Sequence, residues 1–177
     1  MTGMYENQSE RLNYEFYRRD VLDVAPDLLG KWVVLNHGGS RISRLTINEV
    51  EAYRGFDDLA SHARKGHTKR TEPMFGSGGR LYIYLVYGIH WMLNIVTGQE
   101  NNPQAVLIRG AGPFNGPGKL TKALGIDHSY NTEDLVQSGR IWIEGPGERV
   151  FIERGPRIGV DYAGEYWSKI SWRFYIK

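Results

Sequence analysis

The sequence predicts an α+β fold: a single compact domain with a curved, mostly antiparallel β-sheet, short flanking helices and a protruding β-hairpin. The length of 177 residues is that of about one domain, which is enough to bury a hydrophobic core. Runs rich in aromatic and β-branched residues, which favour strands, follow one another along most of the chain. The connections between these runs are mostly short, which favours antiparallel or mixed pairing over a doubly wound parallel sheet.

The first part of the chain is predicted to hold one helix and two paired strands. Residues 1–15 begin with a polar stretch and are expected to form a flexible segment ahead of a single domain over 16–177. The stretch "DVLDVAPDLLG" is typical of a short helix, with Pro26 near the helix start and Gly30 as its stop. "KWVVLN" and "RISRLTINEVEAY" are typical of strands, and "NHGGS" between them predicts a turn.

The remaining elements follow the same pattern. "RLYIYLVYGIHWMLNIV" predicts two strands that meet near Gly88, and "QAVLIR" predicts a further strand. "GPGKLTKALG" predicts a helix that begins after Gly and Pro, and "NTEDLVQSG" predicts a capped helix. "RIWIEG", "RVFIE" and "WRFYI" predict the last strands.

The composition excludes several kinds of chemistry. Because there is no cysteine, disulfides, thiolate nucleophiles, iron–sulfur clusters and Cys-containing zinc sites are ruled out. The five histidines do not have the spacing of common metal-binding motifs, so no metal site is expected. No apolar run approaches the ~20 residues of a membrane span, and no charged-then-apolar leader opens the chain. We therefore expect a soluble protein that is not exported and has no membrane partner.

Positive charge is concentrated in one segment. Over residues 61–80 five lysines and arginines stand against Glu72 alone, a local charge of +4, whereas the whole chain carries +2. A solvated loop would explain such a segment, and so would contact with phosphates, because Lys and Arg displace condensed counterions there. The candidate phosphate contacts in this segment are Arg64, Lys65, Lys69 and Arg70.

The stretch "GPGKLT" resembles a phosphate-binding loop but does not match the motif. Pro113 stands where the motif needs its first glycine, and Leu120 stands where it needs Ser or Thr. We interpret the stretch as a helix N-terminus, with Lys119 as a further candidate phosphate contact.

One predicted strand ends in carboxylates, which is unusual. If no bulge intervenes, alternation places one set of side chains on a single face: Leu45, Ile47, Glu49, Glu51 and Tyr53. A partly buried carboxylate needs Arg or backbone N–H partners, as in a strand-end salt bridge, or its perturbed pKa serves catalysis. Because Glu49 and Glu51 point the same way instead of flanking a substrate, at most one is expected to act directly.

The tyrosines of the predicted hairpin divide into two groups. Tyr82 and Tyr84 share one face of their strand, which is typical of a core and also occurs in binding surfaces. Tyr87 falls on the opposite face, beside Gly88 at the hairpin tip. A large aromatic side chain at an exposed tip is hard to explain by packing, whereas apolar wedges that part stacked bases are a recognised use.

A series of motifs resembles, in its order, the alkyladenine (3-methyladenine) DNA glycosylase family, the type that is not built on a helix-hairpin-helix. The motifs are "EAYRGFDDLASH", "MFGSGGRLYIYLVYGIHWMLNIV", "QAVLIRGAGP", "GPGKLTKALGI" and "RIGVDYAGEYW…WRFYI". The resemblance extends from about Phe16 to the C-terminus, with a poor match over 127–154. It implies a mixed α/β domain whose hairpin enters the DNA minor groove.

The resemblance also implies an activity. It is the excision of alkylated or deaminated purines from double-stranded DNA by hydrolysis, with no cofactor and no strand-cleaving lyase step. We expect a monomer in the cytoplasm, associated with the nucleoid in a bacterium, or in the nucleus of a eukaryote.

Individual roles follow from the same motifs. The resemblance implies that Glu51 is the general base that activates water and that Arg109 is a partner of that water, with main chain near Ile158 completing its shell. Tyr87 would fill the gap left by the flipped nucleotide. The base pocket would be formed by Tyr53, His62, Tyr84 and Asn94, the last placed to exclude the amino group of guanine.

Two other functions stay open on the residues alone. A non-catalytic minor-groove nucleic-acid-binding module would use the basic segment and Tyr87, but it has no use for Glu51 next to a phosphate-rich ligand. A small-molecule nucleoside hydrolase would use Glu51 but would leave the basic segment without a role.

Overall fold

Residues 10–177, the part of the chain that the computed structural model describes, contain ten β-strands, four short α-helices and four 3-10 helices, the last at His62–Lys65, Glu72–Phe75, His128–Tyr130 and Asp161–Ala163. The strands are β1 (Glu10–Arg11), β2 (Trp32–Asn36), β3 (Ile42–Arg54), β4 (Leu81–Val86), β5 (His90–Thr97), β6 (Gln104–Ala111), β7 (Phe114–Asn115), β8 (Ile141–Gly145), β9 (Ile152–Gly155) and β10 (Arg173–Ile176). The α-helices are α1 (Tyr14–Tyr17), α2 (Val21–Leu28), α3 (Pro117–Leu124) and α4 (Glu165–Lys169). None of the helices in this part of the chain is long and apolar enough to cross a membrane.

The strands form one open antiparallel sheet. Its main path runs β1-β8-β2-β3-β6-β5-β4, while β10 pairs with β3 and β9, and β7 pairs with β6. The predicted hairpins β2–β3 and β4–β5 are both present. The first half of β3 pairs with β2 and the second half pairs with β6 and β10, so Glu49 and Glu51 lie between two neighbouring strands. The predicted α+β class, a single compact domain with an antiparallel sheet, is confirmed.

A β-bulge in β3 decides which of its residues face the core. The register with β6 shifts between Ile47 and Glu49 and again between Glu49 and Val50. Ile47, Val50 and Ala52 therefore all lie in the main hydrophobic core. The predicted single face of Leu45, Ile47, Glu49, Glu51 and Tyr53 is wrong, because two successive irregularities in the pairing with β6 move the core-facing positions of β3 from odd to even numbers.

Asn48, Gly110 at the end of β6 and Gly112 just after it explain why the bulge fits here. A Cβ atom at Gly110 would collide with Oδ1 of Asn48. The Asn48 side chain also donates a hydrogen bond to the Gly112 carbonyl at 3.0 Å. The side chain of the bulge residue thus occupies space that only glycine leaves free.

Helices α2 and α3 each bury one face against the sheet. Helix α2 begins after Asp20, whose side chain accepts a hydrogen bond from the Leu22 N–H at 2.9 Å. Pro26 therefore lies in the last turn, and its predicted place near the helix start is wrong. Gly30 follows the helix with φ of +82°, where a Cβ would also collide with the Glu148 carbonyl oxygen. The residues that α2 and α3 bury are Val21, Val24, Ala25, Leu28, Leu120, Thr121 and Leu124.

The helix predicted over 131–139 is absent, and the segment forms turns. Thr132 has φ of +69°, outside the helical region. The Asp134 carboxylate accepts hydrogen bonds from the N–H groups of Val136 at 2.9 Å and Gln137 at 3.3 Å. These local bonds compete with helix formation, which is why the capping signal stands without a helix after it.

The structure places the residues from Glu10 onward in the domain. Glu10 and Arg11 pair with β8, and the Asn13 side chain accepts a hydrogen bond from the Phe16 N–H at the start of α1. Of the segment 1–15 that we expect to be flexible, residues 1–9 lie outside the described residues. The remainder, 10–15, belongs to the sheet and to α1.

Candidate active site

A cavity of about 760 Å³ opens between the hairpin β4–β5, the end of β3 and the N-terminus of α3. Its volume lies within the ~300–1,000 Å³ typical of ligand sites. It brings together most of the residues that the sequence indicates, namely Tyr53, His62, Arg70, Tyr84, Tyr87, Asn94, Arg109 and Lys119. Arg64, Lys65 and Lys69 do not line it. Tyr162, for which the sequence analysis predicts no role, does.

Glu51 lies directly behind the wall of this cavity. Its side chain is 0% exposed, with Oε2 accepting a hydrogen bond from the Tyr53 hydroxyl at 2.7 Å and Oε1 accepting one from the Ile158 N–H at 2.7 Å. Nε of Arg109 lies 3.6 Å from Oε1. All three partners line the cavity, whereas Glu51 itself does not. The separation between Nε of Arg109 and Oε1 of Glu51 is longer than a hydrogen bond.

The protonation of Glu51 is set by opposing effects. Burial raises its pKa above the ordinary value of 4.5, while the Arg109 guanidinium, the Ile158 N–H and the Tyr53 hydroxyl lower it. Arg109 favours the ionised form of Glu51, as expected from the sequence. The effect of burial is larger, so the pKa of Glu51 is raised overall. A carboxylate with a raised pKa is a stronger base, which suits the removal of a proton from water.

Glu49 holds Arg109 in position. Its Oε1 lies 3.2 Å from Nε of Arg109 and 3.1 Å from Nη1 of Arg173. The strand-end salt bridge considered from the sequence therefore describes Glu49. Glu51 instead has a hydroxyl and a backbone N–H as its close partners.

Three aromatic rings form one side of the cavity. The ring centroids of His62 and Tyr84 are 4.5 Å apart, and those of Tyr82 and Tyr84 are 5.1 Å apart. Nδ1 of His62 lies 3.0 Å from the Tyr82 hydroxyl. Tyr82 is buried in a small second core, whereas Tyr84 is only partly buried against it. The tyrosine pair thus serves both as core and as cavity wall.

Asn94 is fixed by the backbone of the same hairpin. It is buried, and its Nδ2 donates hydrogen bonds to the carbonyls of Tyr82 at 3.1 Å and Met92 at 3.4 Å. Because both contacts use the amide nitrogen, the side-chain oxygen stays available to the cavity.

His62 is neutral at physiological pH. Burial, followed by the positive charges of Arg70, Lys65 and Arg64, lowers its pKa from 6.5 to about 4. An uncharged imidazole can stack on a planar base without bringing a charge into the cavity.

The pKa of His62 predicts how stability depends on pH. Between pH 6.5 and pH 4 the unfolded chain binds a proton at His62 that the folded chain does not, so the free energy of unfolding falls as the pH drops. We expect the wild type to lose on the order of 2 kcal/mol more than His62→Gln between about pH 7 and pH 4. Urea unfolding of both proteins at the two pH values measures this difference, and equal losses would contradict it.

The hairpin tip presents two apolar side chains to solvent. Tyr87 is 89% exposed and Ile89 is 70% exposed. Tyr87 and Gly88 have φ of +53° and +69°, and the Ile89 N–H donates to the Val86 carbonyl, which closes a tight turn. A glycine would fit the position of Tyr87 with less strain, so the turn itself does not explain the tyrosine. Ile89 was missed by the sequence analysis, although it follows Gly88 directly.

A buried ion pair fixes the segment that carries Ile158. Arg157 donates from Nη1 to Asp58 Oδ2 at 2.6 Å and from Nη2 to Asp58 Oδ1 at 2.9 Å, and both side chains are 0% exposed. Arg157 also donates to the Ala52 carbonyl at 2.9 Å and lies 4.7 Å over the Tyr53 ring. The sequence gives no signal that these two residues pair, because they lie far apart in separate motifs.

The candidate phosphate contacts lie at the surface around the cavity. Arg64, Lys65, Lys69, Arg70 and Lys119 are all exposed. The guanidinium of Arg64 lies 5.5 Å from the Tyr162 ring, and that of Arg70 lies 5.7 Å from the Tyr84 ring. Over residues 10–177 no group of three or more His, Asp or Glu side chains is placed to hold a metal ion.

Comparison with known proteins identifies the family. The model of the methylpurine-DNA glycosylase family matches residues 15–115 and 112–177. A protein of Desulfitobacterium hafniense named "Putative 3-methyladenine DNA glycosylase" is 41% identical over 196 residues, covering 95% of this chain and 96% of the relative. Proteins with the same name from Legionella pneumophila (strain Lens) and Methanocella arvoryzae are 46% and 42% identical, over 94% and 92% of this chain and 94% and 90% of the relatives. With the match extending over nearly the whole sequence, this chain belongs to the methylpurine-DNA glycosylase family.

Proposed function

We propose that the protein is a DNA glycosylase that flips alkylated or deaminated purines out of duplex DNA and hydrolyses the glycosidic bond. The observation that carries the proposal is the position of Glu51. Its carboxylate is fixed behind the wall of a cavity that is lined by aromatic rings and bordered by cations. A binding module without catalysis has no use for this arrangement.

The rings supply the energy that base flipping requires. Extruding a nucleotide from the duplex costs a few kcal/mol. Stacking on an aromatic side chain contributes ~1–3 kcal/mol per base. The free energy gained would come from two sources: stacking of the base on the rings of Tyr53, His62 and Tyr84, and insertion of Tyr87 into the vacated stack. Together they are large enough to offset this cost.

Hydrolysis would use Glu51 and Arg109 together. As the bond between C1′ and the purine nitrogen lengthens, positive charge develops on the sugar and the bonding electrons move to the purine. Glu51 stabilises that charge and takes a proton from the water whose oxygen attacks C1′. Arg109, held by Glu49, orients the water, and the main chain at Ile158 fixes the carboxylate.

We propose that the reaction ends at the abasic site. The cation next to Glu51 is an arginine, and a guanidinium does not act as the amine nucleophile that Schiff-base formation with the sugar needs. No strand-cleaving lyase step is therefore proposed. The protein would act as a monomer wherever chromosomal DNA is found.

An assay of release from defined duplexes tests this function. Duplexes of one sequence, each with a single damaged purine, are scored for free base and abasic sites at two salt concentrations. Release from duplexes that weakens at high salt supports the proposal, since phosphate contacts depend on salt. Binding without release would favour the binding module, and faster release from free nucleosides would favour a nucleoside hydrolase.

We expect Tyr87→Ala to slow release from duplex DNA about 10–100-fold, the equivalent of losing ~1–3 kcal/mol of stacking. Release of the same base from single-stranded DNA is expected to change much less, because no stack has to be refilled. Tyr87→Phe is the matched control and should keep most of the activity, since it retains the ring. Because the side chain is 89% exposed, the melting temperature of both variants should stay near that of the wild type. Equal losses on the two substrates would contradict a wedge role.

A further inference from the structure

The wall of the cavity carries positive charge and no carboxylate. Among the described residues that line it, Arg70, Arg109 and Lys119 are cations, and none is Asp or Glu. Arg109 forms ion pairs with Glu49 at 3.2 Å and with Glu51 at 3.6 Å. Arg70 and Lys119 take part in no ion pair with any described residue.

Arg70 lies closest to the rings that would hold a base. Its guanidinium carbon is 5.7 Å from the centroid of the Tyr84 ring. Its charge is the largest single electrostatic contribution that lowers the pKa of His62, and it lowers the pKa of Tyr82 as well. The positive charge of Arg70 therefore acts on three aromatic side chains that line the same cavity.

We propose that Arg70 is a specificity-determining residue that makes this pocket favour uncharged damaged purines over purines whose N-alkylation leaves them positively charged. The inference rests on the proposed glycosylase function. A cationic purine gains from stacking on an electron-rich ring. The guanidinium of Arg70 beside Tyr84 repels such a purine, and it already forms the cation–π contact with the Tyr84 ring. A deaminated purine carries a carbonyl oxygen in place of an amino group, and Arg70 can donate a hydrogen bond to it.

The same side chain could instead bind a phosphate. In that case Arg70 would contribute to the affinity for every duplex to the same degree, whatever the charge of the damaged base. The two roles therefore predict different ratios between the release rates of a cationic and a neutral base. Either role alone would change the individual rates.

The test compares hypoxanthine, which is neutral, with 7-methylguanine, which is cationic, at one position in otherwise identical duplexes. Single-turnover release of each base is measured for the wild type, Arg70→Gln, Arg70→Lys and Lys69→Gln. We expect Arg70→Gln to raise the ratio of cationic to neutral release about tenfold. Arg70→Lys keeps the charge and should stay near the wild-type ratio. Lys69→Gln removes a neighbouring cation that does not line the cavity, so it should lower both rates equally.

The outcomes separate this inference from the proposed function. A ratio for Arg70→Gln within twofold of the wild-type ratio overturns the specificity role and assigns Arg70 to the phosphate backbone. A wild type that releases neither base overturns the glycosylase function itself. Because Arg70 is exposed, all the variants are expected to fold, which thermal unfolding verifies.

Discussion

Glu51→Gln is expected to slow base release by about three orders of magnitude while affinity for the damaged duplex stays within a few-fold of the wild type. General base catalysis contributes ~10²–10⁴-fold, and a glutamine side chain cannot take a proton from water. The fold should tolerate the change, because the glutamine oxygen can accept the hydrogen bond from the Ile158 N–H and its amide group can donate to the Tyr53 oxygen. Single-turnover release and direct binding to the same duplex measure the two quantities separately.

Glu49→Gln is the matched control in the same strand. Glu49 contacts Arg109 and Arg173, so its loss should misplace Arg109 and reduce release some tens of times, whereas the loss of the proposed base should reduce it about a thousandfold. The pH profile gives a second check. Since the pKa of Glu51 is raised, wild-type release should fall on acidification at a pH above 4.5, and the residual rate of Glu51→Gln should lack this decline. Release by Glu51→Gln at near wild-type rate would show that another group activates the water.

The sequence predicts the strands and hairpins well because their signals are local. "KWVVLN" and "RLYIYLVYGIHWMLNIV" combine aromatic and β-branched residues with turn residues at the right spacing, and no distant partner is needed to define them. The bulge in β3 is different, since it depends on how Asn48 fits over Gly110 in another strand. The turns at 131–139 are missed for another reason: the capping signal suits a turn as well as a helix, and Asp134 binds the N–H groups of its own neighbours where a helix would continue.

The same distinction applies to the site. Glu51 stands out in the sequence because a carboxylate at the end of an apolar strand needs an explanation. The contacts that hold the Glu51 carboxylate in position cannot be predicted from the local sequence. The Ile158 N–H that binds one of its oxygens comes from a segment about a hundred residues away. The raised pKa of Glu51 likewise depends on complete burial, which only the assembled fold provides. Long-range pairing, and with it the electrostatics of the cavity, is what sequence reasoning on one chain misses.

Asp58→Ala is expected to lower the free energy of unfolding by about 3–5 kcal/mol, because it leaves the guanidinium of Arg157 buried without a counter-charge. The two hydrogen bonds between these side chains are 2.6 and 2.9 Å long and both groups are 0% exposed, so water cannot replace the lost partner without local opening. Asp58 also accepts hydrogen bonds from the N–H groups of Arg54 and Ala60, and their loss adds to the cost. Urea unfolding at neutral pH measures the change.

A second variant distinguishes the buried charge from simple loss of packing. Asp58→Ala combined with Arg157→Met removes the uncompensated charge and fills part of the same volume, so it should be more stable than Asp58→Ala alone. It should still release bases more slowly than the wild type, because Arg157 sets the segment whose Ile158 N–H holds Glu51. If Asp58→Ala costs less than about 1 kcal/mol, the typical value of an exposed pair, the ion pair does not hold this segment and the position of Ile158 must have another cause.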